Sequence, residues 1–264
     1  MKGGTGKTSM TFNLAGCIAR TAKVLVIDFD SQCNLSSNFN FDIFTEDPTV
    51  KTVADIFDDF NTDPWDIVVP SPIPQLPDLD LFPSTMYLYG TELNLSTRSM
   101  REQIMQNYMK RNSTFFEQYD YVIFDTGPNM GLINQNAFFV SDHIVLVTDP
   151  DCNSAKGAHV FLTLWNTARE FSGLDNNVHA LIVNNAERIK IVGELNEYIM
   201  QHPYLSTIYI DSPVIHTTRF KECSAQNVPI YFLKTENKQQ EESRLKAEAS
   251  IDNLMQHLIE RGIF

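Results

Sequence analysis

Three glycines fall within four positions in the stretch Met1-Lys2-Gly3-Gly4-Thr5-Gly6-Lys7-Thr8-Ser9. Residues without a Cβ let a backbone turn tightly and bring its N–H groups against a phosphate, where a side chain would stand in the way. The apolar-periodic run that follows (Met10, Phe12, Leu14, Ala15, Ile18, Ala19) predicts a helix. Its unpaired first amides and positive dipole end would face the same anion. Lys7 adds a mobile point charge, and Thr8 a hydroxyl of the kind that ligates Mg²⁺ beside nucleotide phosphates. The stretch reads as a phosphate cradle.

The remaining elements must carry that cradle. Residues 23–28 form a continuous apolar run ending in Asp28, as a buried parallel strand does, and deliver Asp28-Phe29-Asp30 to the carboxyl end where open α/β sheets bind ligands. Residues 121–125 repeat the pattern and end in Asp125. Further strands are predicted at 79–84, 143–148 and 178–183. Helices are predicted around 53–57 and over 86–110, 154–171, 187–201 and 238–261. In the 86–110 helix the candidate buried positions are Leu88, Leu93, Leu95, Met100, Ile104 and Tyr108; in the last helix they are Leu245, Ile251, Leu254, Leu258 and Ile259. Arg98, Arg101, Lys110 and Arg111 read as a solvated face or a binding patch. The alternation of strand and helix predicts a single domain over residues 1–264, a doubly wound α/β fold with a mostly parallel sheet and helices on both faces. A strand should feed the phosphate loop, and only Met1 precedes Lys2. We expect the true start to lie upstream of Met1; a trimmed chain, or one lacking its first strand, are the alternatives.

Composition narrows the function classes. With 264 residues, 43% apolar and 20% charged, the chain can bury a large core and is not disordered. A net charge of −13, from 20 basic and 33 acidic residues, argues against a surface that binds nucleic acid indiscriminately, although a local basic patch stays open. Cys17, Cys33, Cys152 and Cys223 form no C-x-x-C pair and read as reduced thiols. The six histidines include no i, i+4 pair, so no protein-built metal centre is expected. No run of about 18 apolar residues occurs and no signal peptide is visible, so the expected location is cytoplasmic.

The phrase Lys2-Gly3-Gly4-Thr5-Gly6-Lys7-Thr8 resembles the deviant Walker A box of the ParA/MinD family of ATPases, in which a second "signature" lysine stands five residues before the P-loop lysine. Asp28-Phe29-Asp30-Ser31-Gln32-Cys33-Asn34 resembles the D-x-D-P-Q-x-N segment that carries switch I in ParA proteins, with Ser31 in place of the usual proline. Asp125-Thr126-Gly127-Pro128 is close to the family's Walker B segment, and 127–131 is the counterpart of switch II. Leu79-Asp80-Leu81-Phe82-Pro83-Ser84, residues 140–147, and Arg219-Phe220-Lys221-Glu222-Cys223 also resemble ParA segments in the same order, so the likeness runs from Lys2 to the 220s.

The resemblance implies a ParA-type partition ATPase using ATP and Mg²⁺. Gly3, Gly4, Thr5, Gly6, Lys7, Thr8 and Ser9 would hold the nucleotide. Lys7 would neutralise phosphate charge, and Thr8 and, through water, Asp125 would hold the metal. Asp30 would position or activate the attacking water, and Lys2 would reach the partner's nucleotide in an ATP-dependent homodimer; the alternative for Lys2 is pairing with a local acid. Asn184 and Pro213 map to adenine contacts. The implied partners are a second copy of the chain, a ParB-like centromere-binding adaptor and nonspecific DNA. For DNA the available cations are Arg188, Lys190, Arg219, Lys221, Lys234, Lys238, Arg244 and Lys246, and Ile215-His216 stand where an arginine pair often opens the helix. Two alternatives remain: a MinD-like positioning ATPase, whose basic membrane helix the acid-rich tail does not match, and a degenerate relative that no longer hydrolyses ATP. An iron–sulfur reductase relative would need paired cluster cysteines that this spacing does not supply.

Overall fold

A computed structural model describes residues 4–186 and 189–264. Lys2 and Gly3 of the expected phosphate loop, and Arg188, lie outside the described residues, as does the side chain of Lys190. The described residues pack as two compact units, one made of residues 8–140 and 222–233, the other of residues 4–7, 141–186, 189–221 and 234–264.

The first unit carries, in chain order, α1 (Lys7–Ile18), β1 (Val24–Phe29), α2 (Asn34–Asn38), α3 (Val53–Asp58), α4 (Pro64–Ile67), β2 (Val69–Pro70), β3 (Leu79–Phe82), α5 (Leu88–Leu95), α6 (Ile104–Arg111), α7 (Ser113–Phe116), β4 (Tyr121–Thr126) and α8 (Leu132–Val140). Its sheet has the order β2-β3-β1-β4, with β1 parallel to both β3 and β4. All six residues of β1 are buried, as the continuous apolar run requires of a strand covered on both faces. The register places Asp28 opposite Asp125, so two acids predicted from separate runs meet at one end of the sheet. β2 pairs antiparallel with β3 and ends in Pro70, which has no N–H to give a ladder and is tolerated at an edge. On α1 every apolar position expected to be buried is buried. A Cβ on Gly16 would lie 2.5 Å from Pro229, so the absence of a side chain there lets the 229–230 segment approach the helix.

The expected helix over 86–110 is corrected to two helices, α5 and α6. Ser96 Oγ and Thr97 Oγ1 donate to the carbonyls of Leu93 and Asn94, and Met100 takes a left-handed φ of 54° that no helix interior allows. With the helix broken, Leu93 and Met100 are exposed at 59% and 64%, while Leu88, Leu95 and Tyr108 are buried. The nearby arginines are committed locally. Arg98 donates to the Phe57 carbonyl, Arg101 pairs with Glu102, and Arg111 bonds Asn61 and lies over Phe60.

The second unit contains β5 (Ile144–Thr148), α9 (Cys152–Phe171), β6 (Val178–Val183), α10 (Ile189–Gln201) and α11 (Pro203–Ile208). Next comes α12 (Arg219–Gln226), where the chain passes back to the first unit, and last α13 (Lys238–Glu260). β5 and β6 are parallel neighbours. Residues 209–215 extend this pair through two isolated parallel bridges, Leu181 to Tyr209 and Ala186 to Ile215, interrupted around Pro213. α13 packs Ala247, Ile251, Leu254, Met255 and Leu258 into the core, whereas Leu245 and Ile259, expected to be buried, face solvent. Among the described residues, no helix is long and apolar enough to cross a membrane.

Candidate phosphate and metal site

The phosphate loop has the backbone its glycines anticipate. Gly4 and Gly6 take φ values of 86° and 78°, the left-handed region that side chains disfavour. Gly6 is doubly constrained, since a Cβ there would collide with Asn184 Nδ2. Asn184, at the end of β6, is itself buried and donates that Nδ2 to the Thr5 carbonyl at 2.9 Å. The expected adenine residue thus bonds the backbone of the loop. Pro213 lines a cavity of about 530 Å³ together with Asp211, Ile215, Lys246, Asn253 and His257.

Lys7 opens α1, and the helix that follows turns its first hydroxyls to the tip of β4. Thr8 Oγ1 donates to Asp125 Oδ2 at 2.7 Å, and Thr11 Oγ1, one turn on, donates to Asp125 Oδ1 at 3.2 Å. The Asp125 carboxylate is only 1% exposed, and both its oxygens are held. Because the Thr8 proton goes to Asp125, the lone pairs of Oγ1 remain for a cation. A hydroxyl backed by a carboxylate is a hard oxygen set of the kind Mg²⁺ prefers, so the residues present fit the ion. Thr11 is not evident from the sequence reading; its i, i+3 spacing from Thr8 on a helix is the signal that could have found it. Ser9 accepts from Asn13 Nδ2 through its carbonyl.

Asp28 and Asp30 play different parts. Asp28 is fully buried, its Oδ2 accepting from the N–H and hydroxyl of Ser36 and its Oδ1 from the N–H of Asp30. Burial, and then the charge of Asp125 across the register, push its carboxyl up to about 7, against the pull of those hydrogen bonds. Asp28 therefore organises the loop rather than meeting a ligand. Asp30 is half-buried, accepts from the Gln32 N–H at 3.0 Å, and lies where a Cβ on Gly127 would stand 3.4 Å from its Oδ1. The D-x-D strand and the segment after Asp125 are thus brought together within one unit, with Asp30 against the first residue of the expected switch II.

The burial of Asp28 has a measurable consequence. The folded chain keeps on Asp28 a proton that the unfolded chain, with an ordinary carboxyl near 3.8, has already released; stability therefore falls as pH rises from that value through about 7. In urea titrations with EDTA and without nucleotide, the wild type is expected to lose stability between mildly acidic and mildly alkaline pH. Asp28→Asn is expected to flatten that slope; an unchanged slope would show that Asp28 is not its source.

A glycine-turned loop opening a helix, whose threonine reaches an acid at the tip of a parallel strand, defines the P-loop class of nucleotide-binding protein. Comparison with known proteins agrees. A family model described as "AAA domain" (AAA_31) matches residues 1–179, more than half of the chain. Soj, the sporulation initiation inhibitor protein of Bacillus subtilis (strain 168), is 26% identical over 213 residues, covering 78% of this chain and 80% of Soj. PomZ, a cell division protein of Myxococcus xanthus (strain DK1622), is 25% identical over 260 residues, covering 98% of this chain and 76% of PomZ. Solved structures of Cyanothece McdA, apo and as an aspartate-to-alanine variant in complex with ATP, superpose with TM-scores of 0.80 and 0.79 at 18% identity over 97% of this chain and 96% and 93% of theirs, a likeness of fold. The chain belongs to the AAA_31 family, P-loop NTPases of the ParA/MinD type.

Proposed function

We propose that this chain is a Mg²⁺-dependent ATPase that dimerises on ATP and, by hydrolysing it, drives partition of DNA together with a ParB-like adaptor. The observation that carries the reading is the Thr8–Asp125 hydrogen bond, which ties the P-loop hydroxyl to the acid at the β4 tip. The complex of the McdA aspartate-to-alanine variant with ATP supports the choice of nucleotide. Backbone amides from Gly3 to Thr8 hold the phosphates, Lys7 balances their charge, and Ser9 continues the helix start that faces them. Thr8 and, through water, Asp125 would hold Mg²⁺, which when bound would supply charge neutralisation for the phosphoryl oxygens. Asp30 orients the attacking water. Asn184 and Pro213 contact the base, Asn184 from its place against Thr5. Such catalysis is positioning and electrostatics, which suits a site whose side chains are held by hydrogen bonds.

Lys2 is assigned to the nucleotide of the partner copy. Lys2→Ala is expected to leave nucleotide binding by the monomer within roughly threefold of wild type while abolishing ATP-dependent dimerisation and turnover. Size-exclusion chromatography with a slowly hydrolysed ATP analogue reads this, and an unchanged dimer peak would remove the trans role.

For DNA the exposed cations are Lys221, Lys234, Lys238 and Lys246; Arg244 is engaged by Glu241 and Glu248, so it is not proposed as a contact. Binding of duplex DNA should weaken steeply with added salt, and ATP turnover should rise when DNA and the adaptor are both present. Turnover indifferent to both would argue for a cargo other than DNA. The apolar face of α13 is packed into its unit, so no membrane partner is proposed.

A further inference from the structure

The loop that follows Asp125 is gripped by one buried side chain that the reading above does not use. Asn134, in the first turn of α8 and 3% exposed, accepts the Gly127 N–H on Oδ1 at 3.2 Å. Its Nδ2 faces the Gly127 carbonyl at 3.2 Å, the Asn129 carbonyl at 2.9 Å and Asn129 Oδ1 at 2.8 Å. A single amide thus holds both polar groups of Gly127 and the next turn of the loop, around Pro128, which has no N–H of its own to anchor. The far end is held separately. The Gly131 N–H donates to Asn129 Oδ1 at 2.9 Å, and the Ile133 N–H donates to Glu92 Oε1 of α5 at 3.4 Å. A side chain on Gly131 would collide with Glu92.

What this grip fixes is the space beside Asp30. A Cβ on Gly127 would come into ordinary van der Waals contact with Asp30 Oδ1 at 3.4 Å and Asn134 Nδ2 at 3.5 Å, so the Gly127 backbone, that carboxylate and that amide are direct neighbours. Asp30, Glu92, Gly127, Asn129 and Asn134 line a small cavity of about 20 Å³, room for one water with several polar partners. We propose that Asn134 is a positioning residue for hydrolysis, holding Gly127 against Asp30 so that this one-water cavity keeps its shape. The proposal rests on the ATPase reading. A helix start that merely needs a partner for its own N–H groups would not require an amide that bonds both the N–H and the carbonyl of a residue seven positions earlier.

The test uses two variants. Asn134→Ala removes the grip. Asn134→Asp keeps the volume and an acceptor for the Gly127 N–H, but sets a carboxylate against the carbonyls of Gly127 and Asn129. Steady-state ATP turnover with Mg²⁺, affinity for a fluorescent ATP analogue, and hydrogen exchange of peptides spanning 126–134 are measured on both. Both variants are expected to lose kcat on the order of 10- to 100-fold, with KM and analogue affinity within about threefold, and with faster exchange over 127–131. A wild type that turns over ATP and variants that match it would overturn the proposal and leave the ATPase reading standing; so would faster exchange with unchanged kcat. A lower kcat accompanied by an equal loss of analogue affinity would also overturn it, because the residue would then serve binding. A silent wild type would overturn the ATPase reading itself.

Discussion

Asp30→Ala is expected to turn over ATP on the order of 100-fold or more slowly than wild type, while still binding the nucleotide and persisting as the proposed ATP-bound dimer. The expectation follows from where Asp30 sits. Its carboxylate is fixed by the Gln32 N–H and faces the backbone of Gly127, at the edge of a cavity with room for one water. Alanine would remove the acceptor proposed for the attacking water and would leave the Thr8–Asp125 hydrogen bond in place. Binding and chemistry should therefore separate. Phosphate release and size-exclusion chromatography with ATP read the two halves independently. Failure of the variant to dimerise would make Asp30 a structural residue, and wild-type turnover would remove it from the chemistry altogether.

The second large effect is at the metal. Thr8→Ala is expected to weaken Mg²⁺-dependent ATP binding and to lower turnover on the order of 100-fold, whereas Thr8→Ser, which keeps the hydroxyl, should stay within about tenfold of wild type. The alanine variant loses the oxygen proposed to face the cation. It also takes from Asp125 Oδ2 its 2.7 Å donor in a buried setting. Titration of turnover with Mg²⁺ reads the result: the serine variant should saturate as the wild type does, and the alanine variant should need far more metal. Equal behaviour of alanine and serine would mean that the hydroxyl is no ligand and that the bond to Asp125 is architectural.

The parts of this site that the sequence makes legible are those written in consecutive residues. Glycines at 3, 4 and 6 announce a tight turn because no other residue type takes such φ values cheaply, and the observed angles at Gly4 and Gly6 bear this out. The runs ending in Asp28 and Asp125 announce buried parallel strands because both faces must be apolar, and those strands pair in register. The parts that stay hidden are made of residues distant in sequence. The partner of Asp28 is Ser36, and those of Asn134 are Gly127 and Asn129; each reads locally as an ordinary polar residue of a loop or helix. The same limit explains the errors in burial. Leu93 and Met100 fit the period of a long helix, but a left-handed residue and two hydroxyls end that helix first. Leu245 and Ile259 fall at apolar positions of α13 yet lie outside the stripe that Ala247, Ile251, Leu254 and Leu258 bury. β2 is masked by its proline and is held by pairing with β3 rather than by any preference of its own.

Splitting of ATP with a cation held by Thr8 and Asp125 is the activity proposed for this chain. It is tested most directly by phosphate release from ATP, comparing the purified wild-type chain in Mg²⁺, the same chain in EDTA, and Asp125→Ala in Mg²⁺. Release is expected from the first alone, rising further when duplex DNA and the adaptor are added. Release that EDTA and Asp125→Ala leave untouched, or none from the wild type even with DNA and adaptor present, would contradict it.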